Sequence, residues 1–175
     1  MKIFIKYIFL TYSFFTIINA QNNPYFAKNG MVVSASQLAS QFGVDIIRLG
    51  GNAIDAAVAT GFALAVTYPQ AGNIGGGGFL VAHLADGRNI TIDFRETAPS
   101  SAHRDMYLDK NGNVIKDMTL YTHSSVGVPG SVAGLLKAWS LYGSGNVSLK
   151  QILNPAITLA KNGFAISDRF AKNLN

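Results

Sequence analysis

Arg95 ends a run in which Ile90, Ile92 and Phe94 alternate with Thr91, Asp93 and Arg95. That period of two predicts a strand with one apolar and one polar face. Pro99 biases Ala98 toward an extended or turn conformation and helps to end the run. An arginine fixed at the end of a strand offers parallel N–H donors in one plane and never loses its charge. Those are the properties that bind a carboxylate. Arg95 is therefore the candidate binding residue. The commoner use of such an arginine is a surface ion pair, here with Asp93 or Glu96.

Other residue sets that could do chemistry are weaker. Gly75-Gly76-Gly77-Gly78 invites a phosphate-loop reading, but Phe79-Leu80 follows where the Walker pattern needs Lys and Ser or Thr. A dinucleotide fingerprint would open a helix at the glycines, whereas a strand follows here. Close backbone approach between packed elements is the favoured reading. His83, His103 and His123 lack the short helical spacing of a metal site and no carboxylate cluster joins them, so no metal is expected. His83 reads as a satisfied core residue, and the other two as exposed. His123 and Ser124 are adjacent, so they would not face one another as a catalytic pair, and no acid is placed to orient the imidazole. Asp45, Asp55 and Asp168 read as structural, at caps and on helix surfaces.

The elements that must position Arg95 follow from local pattern. Met31-Val32-Val33-Ser34 reads as a short buried strand. Ser36 caps a helix from Gln37 to about Leu49, with Leu38, Phe42, Ile46 and Leu49 at helical spacing, and Gly50-Gly51 stops it. Asn52 caps a second helix, rich in alanine and apolar nearly all round, running to about Tyr68. This helix belongs in an interior. Phe79 to Leu84 and Asn89 to Arg95 form an antiparallel hairpin through the Asp86-Gly87 turn. A further turn lies at Asp109 to Asn113. Gly130 to Leu141 reads as a helix, as does Leu149 to about Asn162. Pro155 should kink the latter or mark its start, and Gly163 stops it. Another helix begins before Asn175. Helices beside a hairpin sheet give an α/β layered architecture.

Residues 1–20 read as a secretory signal peptide: Lys2 and Lys6, then an apolar run to Ile18, then Ala20. The run is too short for a comfortable membrane span. Residues 21–29 form an arm and 30–175 a domain. The chain has 14 Lys+Arg against 9 Asp+Glu. Loss of Lys2 and Lys6 with the signal lowers the net charge from +5 to +3. The remaining cations are scattered, so no nucleic-acid footprint is present. No cysteine occurs, which excludes disulfides, thiolate zinc sites and cysteine catalysis within the chain. Charged residues are only 13% of the chain, so its surface expects a partner and the domain reads as incomplete.

Five blocks in order carry a resemblance. They are Gly50-Gly51-Asn52-Ala53-Ile54-Asp55-Ala56-Ala57-Val58-Ala59, the Gly75–Phe79 run, Asp93-Phe94-Arg95-Glu96-Thr97-Ala98-Pro99, Gly127-Val128-Pro129-Gly130-Ser131-Val132-Ala133-Gly134, and Pro155-Ala156-Ile157-Thr158-Leu159-Ala160 continuing to Phe164. Together, over about residues 29–175, the chain resembles the N-terminal part of the large subunit of the γ-glutamyltransferases (γ-glutamyl transpeptidases). The resemblance implies an N-terminal-nucleophile hydrolase, an αββα sandwich of antiparallel sheets between helical layers, incomplete in this chain. It implies that Arg95 binds the α-carboxylate of the γ-glutamyl group. It also implies a γ-glutamyl substrate such as glutathione, transfer to water or to amino-acid and peptide acceptors, no cofactor, and a secreted or periplasmic location. The family's nucleophile is a threonine that begins the small subunit, the partner cut from the same precursor. Thr122-His123-Ser124-Ser125-Val126 is similar to that start. However, it runs straight into a large-subunit block at Gly127, and Tyr121 stands where a doubled threonine would begin. Thr122 is therefore rejected, no catalytic residue is assigned in this chain, and the chain alone is expected to be inactive. The alternatives are a catalytically dead secreted paralogue, a carboxylate-binding module, or a related cephalosporin-type acylase.

Overall fold

The computed structural model describes residues 24–174, and the signal-like stretch 1–20 lies outside them. The chain divides between Gly30 and Met31 into two units. The described part of the first, 24–30, holds no helix or strand. The second contains, in order, α1 (Gln37–Arg48), α2 (Ala53–Thr67), β1 (Phe79–His83), β2 (Asn89–Asp93), α3 (Met118–Tyr121), a 3-10 turn (His123–Ser125), α4 (Ser131–Tyr142), α5 (Leu149–Asn162) and α6 (Asp168–Leu174).

The helix starts follow their caps. Ser36 accepts from the Ala39 N–H at α1. Asn52 with Asp55, and Ser148 with Gln151, form reciprocal capping boxes at α2 and α5. Helix α5 runs unbroken through Pro155, so the proline is not its start. It falls on the seventh helical residue, where it removes one backbone donor. Gly163, at φ +77°, ends the helix.

The expected apolar stripe of α1 is displaced. Ala39, Gly43 and Ile46 are buried, while Leu38 and Leu49 are exposed. Size decides this. A Cβ on Gly43 would collide with Thr60 Oγ1 of α2 and lie 2.8 Å from Val32 Cγ1. The small residues are what allow the two helices to approach. Helix α2 is the interior helix that its composition predicts, packing against α1, α4 and α5. The core joins Ile46, Ile54, Val58, Ile92, Ala138, Val147 and Ile152.

β1 and β2 pair antiparallel, from Phe79 opposite Asp93 to His83 opposite Asn89. Leu80 and Ala82 pack with Ile92 against the helices, whereas Phe79 and Val81 point outward and are 64% and 79% exposed. His83 lies on that outer face, exposed, with Nδ1 2.8 Å from Asn89 Oδ1. The expectation of a core histidine is thus corrected by the strand's alternation. His103 and His123 are exposed as expected. Met31–Ser34 form no strand, and Val33 is 81% exposed. An apolar run becomes a strand only with a partner, and among the described residues β1 and β2 pair only with each other.

One polar knot ties the helical layer together. Asp55 is fully buried, and its Oδ2 accepts from the backbone N–H of Asn52 and of Ser144. Asn52 Nδ2 donates to the Tyr142 carbonyl and Asn146 Nδ2 to that of Gly50. The end of α4 is thereby fastened to the start of α2. Asp55 is structural, as its capping position predicts, but it is a buried tether rather than a surface residue.

Candidate carboxylate-binding site

β2 stops at Asp93, two residues earlier than the sequence pattern suggests, because the Asp93 carboxylate takes the Arg95 N–H at 3.0 Å. Such a local side-chain bond competes with the ladder. Phe94 still exchanges backbone hydrogen bonds with Gly78, at 3.0 and 3.4 Å. Two residues past Arg95, Thr97 pairs with Val128 at 2.8 and 3.3 Å. The Arg95 backbone is therefore anchored on both sides. Its side chain is exposed, and among the described residues its guanidinium makes no hydrogen bond or ion pair. The ion pair with Asp93 or Glu96 is not formed.

Three of the sequence blocks meet here. The Gly76 carbonyl accepts from the Gly130 and Ser131 N–H groups, at 2.9 and 3.0 Å, joining the glycine run to the start of α4. A Cβ on Gly77 would lie 2.6 Å from the Phe94 carbonyl oxygen and 2.7 Å from Arg95 Cα. One on Gly130 would strike the Phe94 carbonyl, and one on Gly134 the Phe94 ring and Cβ. One on Gly78 would stand 3.0 Å from Phe94 Cε2. The glycines are close-approach residues, as the sequence suggests, and what they approach is the residue before Arg95. The Glu96 side chain runs past the same loop, with Oε1 3.3 Å from a Cβ at Gly76. Sequence reasoning found Arg95 but gave no role at the site to Phe94 or to Gly130 and Gly134, the glycines that open α4, which it quoted only within the family blocks. Their spacing of four, on one helix face, was the available signal.

The remaining candidates fall elsewhere. Thr122 precedes the 3-10 turn, and its hydroxyl donates to the Met118 carbonyl at 2.6 Å. It belongs to the excursion 98–127, whose base is the Thr97–Val128 pair. Tyr107 Oη fastens that excursion internally by donating to the Ser124 carbonyl. No three His, Asp or Glu side chains among the described residues gather as metal ligands. No described helix is long and apolar enough to cross a membrane. A groove of ≈ 670 Å³ between the start of α1, the end of α2 and residues 164–170 does not include Arg95.

Chemically, the site presents a permanent, planar cation on a backbone that cannot shift easily. Such a group can hold and orient a carboxylate.

Residues 39–175 match the family profile described as "Gamma-glutamyltranspeptidase". The chain is 52% identical over 157 residues to a glutathione hydrolase proenzyme of Pseudomonas sp. (strain A14), covering 90% of this chain and 27% of that protein. It is 49% identical to the glutathione hydrolase proenzyme of Escherichia coli (strain K12), covering 87% of this chain and 26% of that protein. The solved Helicobacter pylori gamma-glutamyltranspeptidase superposes with a TM-score of 0.80 at 51% identity, over 87% of this chain and 43% of that one. The chain thus spans about a quarter of the length of these curated relatives. The ordered blocks, the meeting of three of them around Arg95 and these likenesses agree: the chain, α/β with a small sheet, belongs to the gamma-glutamyltranspeptidase family of N-terminal-nucleophile hydrolases.

Proposed function

We propose that this chain is the recognition and scaffold part of an enzyme that transfers the γ-glutamyl group of glutathione-like donors to water or to an amine. Arg95 binds the donor's α-carboxylate. The single observation that carries this reading is the unpaired guanidinium of Arg95 on a backbone clamped from both sides. A carboxylate is the natural complement of that fork, and an acylase acting on a side chain without one leaves Arg95 unused. Chemistry falls to the N-terminal threonine of a small subunit cut from the same precursor. Its hydroxyl adds to the γ-carbonyl while its own amine takes the proton, and the leaving amine departs with that proton. Water or an acceptor amine then resolves the ester.

The exposed outer face of the hairpin, with Phe79 and Val81, supports a second sheet packed over it, completing an αββα sandwich. Cleavage after Ala20 would place the mature protein outside the cytoplasm.

The test is turnover of a γ-glutamyl anilide. The full-length precursor should process itself and release the amine, and residues 21–175 alone should not. Sustained turnover by the isolated chain that disappears in Thr122→Ala would make Thr122 the nucleophile and overturn this assignment.

A further inference from the structure

We infer that Gly130, which caps α4, and Gly134 within it, with Phe94 between them and the glycine loop, form a seat that sets the reach of Arg95 and hence the enzyme's preference for donors with an α-carboxylate. This rests on the reading of Arg95 proposed above.

The geometry leaves Phe94 little freedom. Its ring lies against Gly134 on one side and Gly78 on the other, both without side chains. Its carbonyl is covered by Gly130 and Gly77. The Gly76 carbonyl accepts from the two N–H groups that open α4, so the loop is fastened to the start of the helix. Helix α4 is seated on the core through Ala138, which is fully buried, and through Leu135. The position of Phe94 is therefore referred to the helical layer, and Arg95 is one peptide bond away. Gly134 has no positive φ. Its lack of a side chain is thus explained by the Phe94 ring and not by backbone conformation. A methyl group there would overlap the Cγ and Cβ of Phe94, so it must displace the ring by about an ångström, a shift that packed interiors transmit to the adjoining arginine. Small misplacements of a group that orients substrate cost rate far out of proportion to their size. Gly134 and Phe94 are positioning residues. They act through Arg95 and are not argued to touch substrate.

The experiment uses the processed full-length enzyme and two donors: a γ-glutamyl anilide, and the 4-aminobutanoyl anilide that lacks only the α-carboxylate. The readout is the ratio of their kcat/KM values, which reports recognition of the carboxylate and is insensitive to the amount of folded enzyme. Arg95→Lys tests the underlying reading and should lower the ratio by about tenfold or more. Gly134→Ala should lower it by roughly fivefold or more, chiefly through KM for the glutamyl donor. Phe94→Leu, a change of volume that packed sites commonly survive, should lower it by about threefold. The double variant Gly134→Ala/Phe94→Leu should have a ratio no higher than that of Gly134→Ala, because the added methyl meets the Cβ and Cγ of Phe94, which leucine keeps. If Arg95→Lys leaves the ratio unchanged, the carboxylate reading itself fails. If Arg95→Lys collapses the ratio while Phe94→Leu keeps the wild-type value, Arg95 binds the carboxylate but the seat does not position it. Phe94→Leu decides the matter even where Gly134→Ala fails to fold.

Discussion

The hairpin carries the pattern Asp-x-Arg twice, and the two copies behave differently. In Asp86-Gly87-Arg88, at the turn, Asp86 Oδ1 accepts the Arg88 N–H at 3.1 Å, while Oδ2 takes the Arg88 Nε and Nη2 at 2.8 and 2.7 Å. In Asp93-Phe94-Arg95, past β2, the same backbone bond forms at 3.0 Å, yet the guanidinium stays free. The difference lies in the middle residue. Gly87 adopts φ +87° with open space around it, so the chain doubles back and lays Arg88 over its own acid. Phe94 is still paired to Gly78 and is wedged among four glycines, so Arg95 is carried away from Asp93. Identical local chemistry gives a satisfied surface ion pair in one place and an available cation in the other. What separates them is tertiary packing, and only the available cation can serve a ligand.

The comparison can be broken most forcefully by giving the second copy the sequence of the first. Phe94→Gly removes the ring and frees the backbone. Stability should fall by about 3 kcal/mol, the lower end of the cost of deleting a core phenylalanine, because Phe94 is only partly buried. Arg95 should then fold onto the Asp93 carboxylate as Arg88 does onto Asp86. Denaturant midpoints and a crystal structure of the variant would record both. An Arg95 guanidinium still away from the Asp93 carboxylate in that structure would mean that the ring is not what keeps the pair apart.

The converse change is smaller. Gly87→Ala meets no atom within 4 Å, so its cost is the strained backbone alone, about 1 kcal/mol. An unfolding midpoint equal to wild type would show that the left-handed turn is not needed.

The smallest effect concerns charge at the turn. The side-chain and backbone hydrogen bonds from Arg88 hold the Asp86 carboxyl below its ordinary value of 3.8. A depressed folded value means that the contribution is complete above 3.8 and is lost as pH falls through the lowered value. Arg88→Gln should move the Asp86 titration back toward 3.8 and change kcat/KM for a γ-glutamyl donor by less than about twofold, as for most exposed pairs. A tenfold loss of activity would move the binding role from Arg95 to Arg88.

Legibility in the sequence follows the same division. Features decided within a few residues were readable: the caps at Ser36 and Asn52, the Asp86-Gly87 turn, the stop at Gly163 and the strand that leads to Arg95. Features decided by distant partners were not. The stripe of α1 shifted because Gly43 meets Thr60 of another helix. Met31–Ser34 is apolar but finds no strand to pair with among the described residues. His83 faces outward because alternation is set by which face meets the helices. Around the site, Arg95 could be picked out as a candidate from its type and place. Its freedom from Asp93 could not, because that depends on glycines of α4 more than thirty residues away. Asp55 could be read as a capping acid, while its burial required Ser144 to close over it.

The most direct measurement is the kinetics of Arg95→Lys in the full-length enzyme, with the subunit bands read on a gel. Lysine keeps the charge but loses the planar pair of donors. Self-cleavage should proceed normally, because the peptide bond cut during maturation presents no α-carboxylate. kcat/KM for a γ-glutamyl donor should fall at least about tenfold, or about 1.4 kcal/mol of transition-state binding. A variant that cleaves itself normally and retains wild-type kcat/KM would contradict the account and leave Arg95 an unpaired surface cation without a role in recognition.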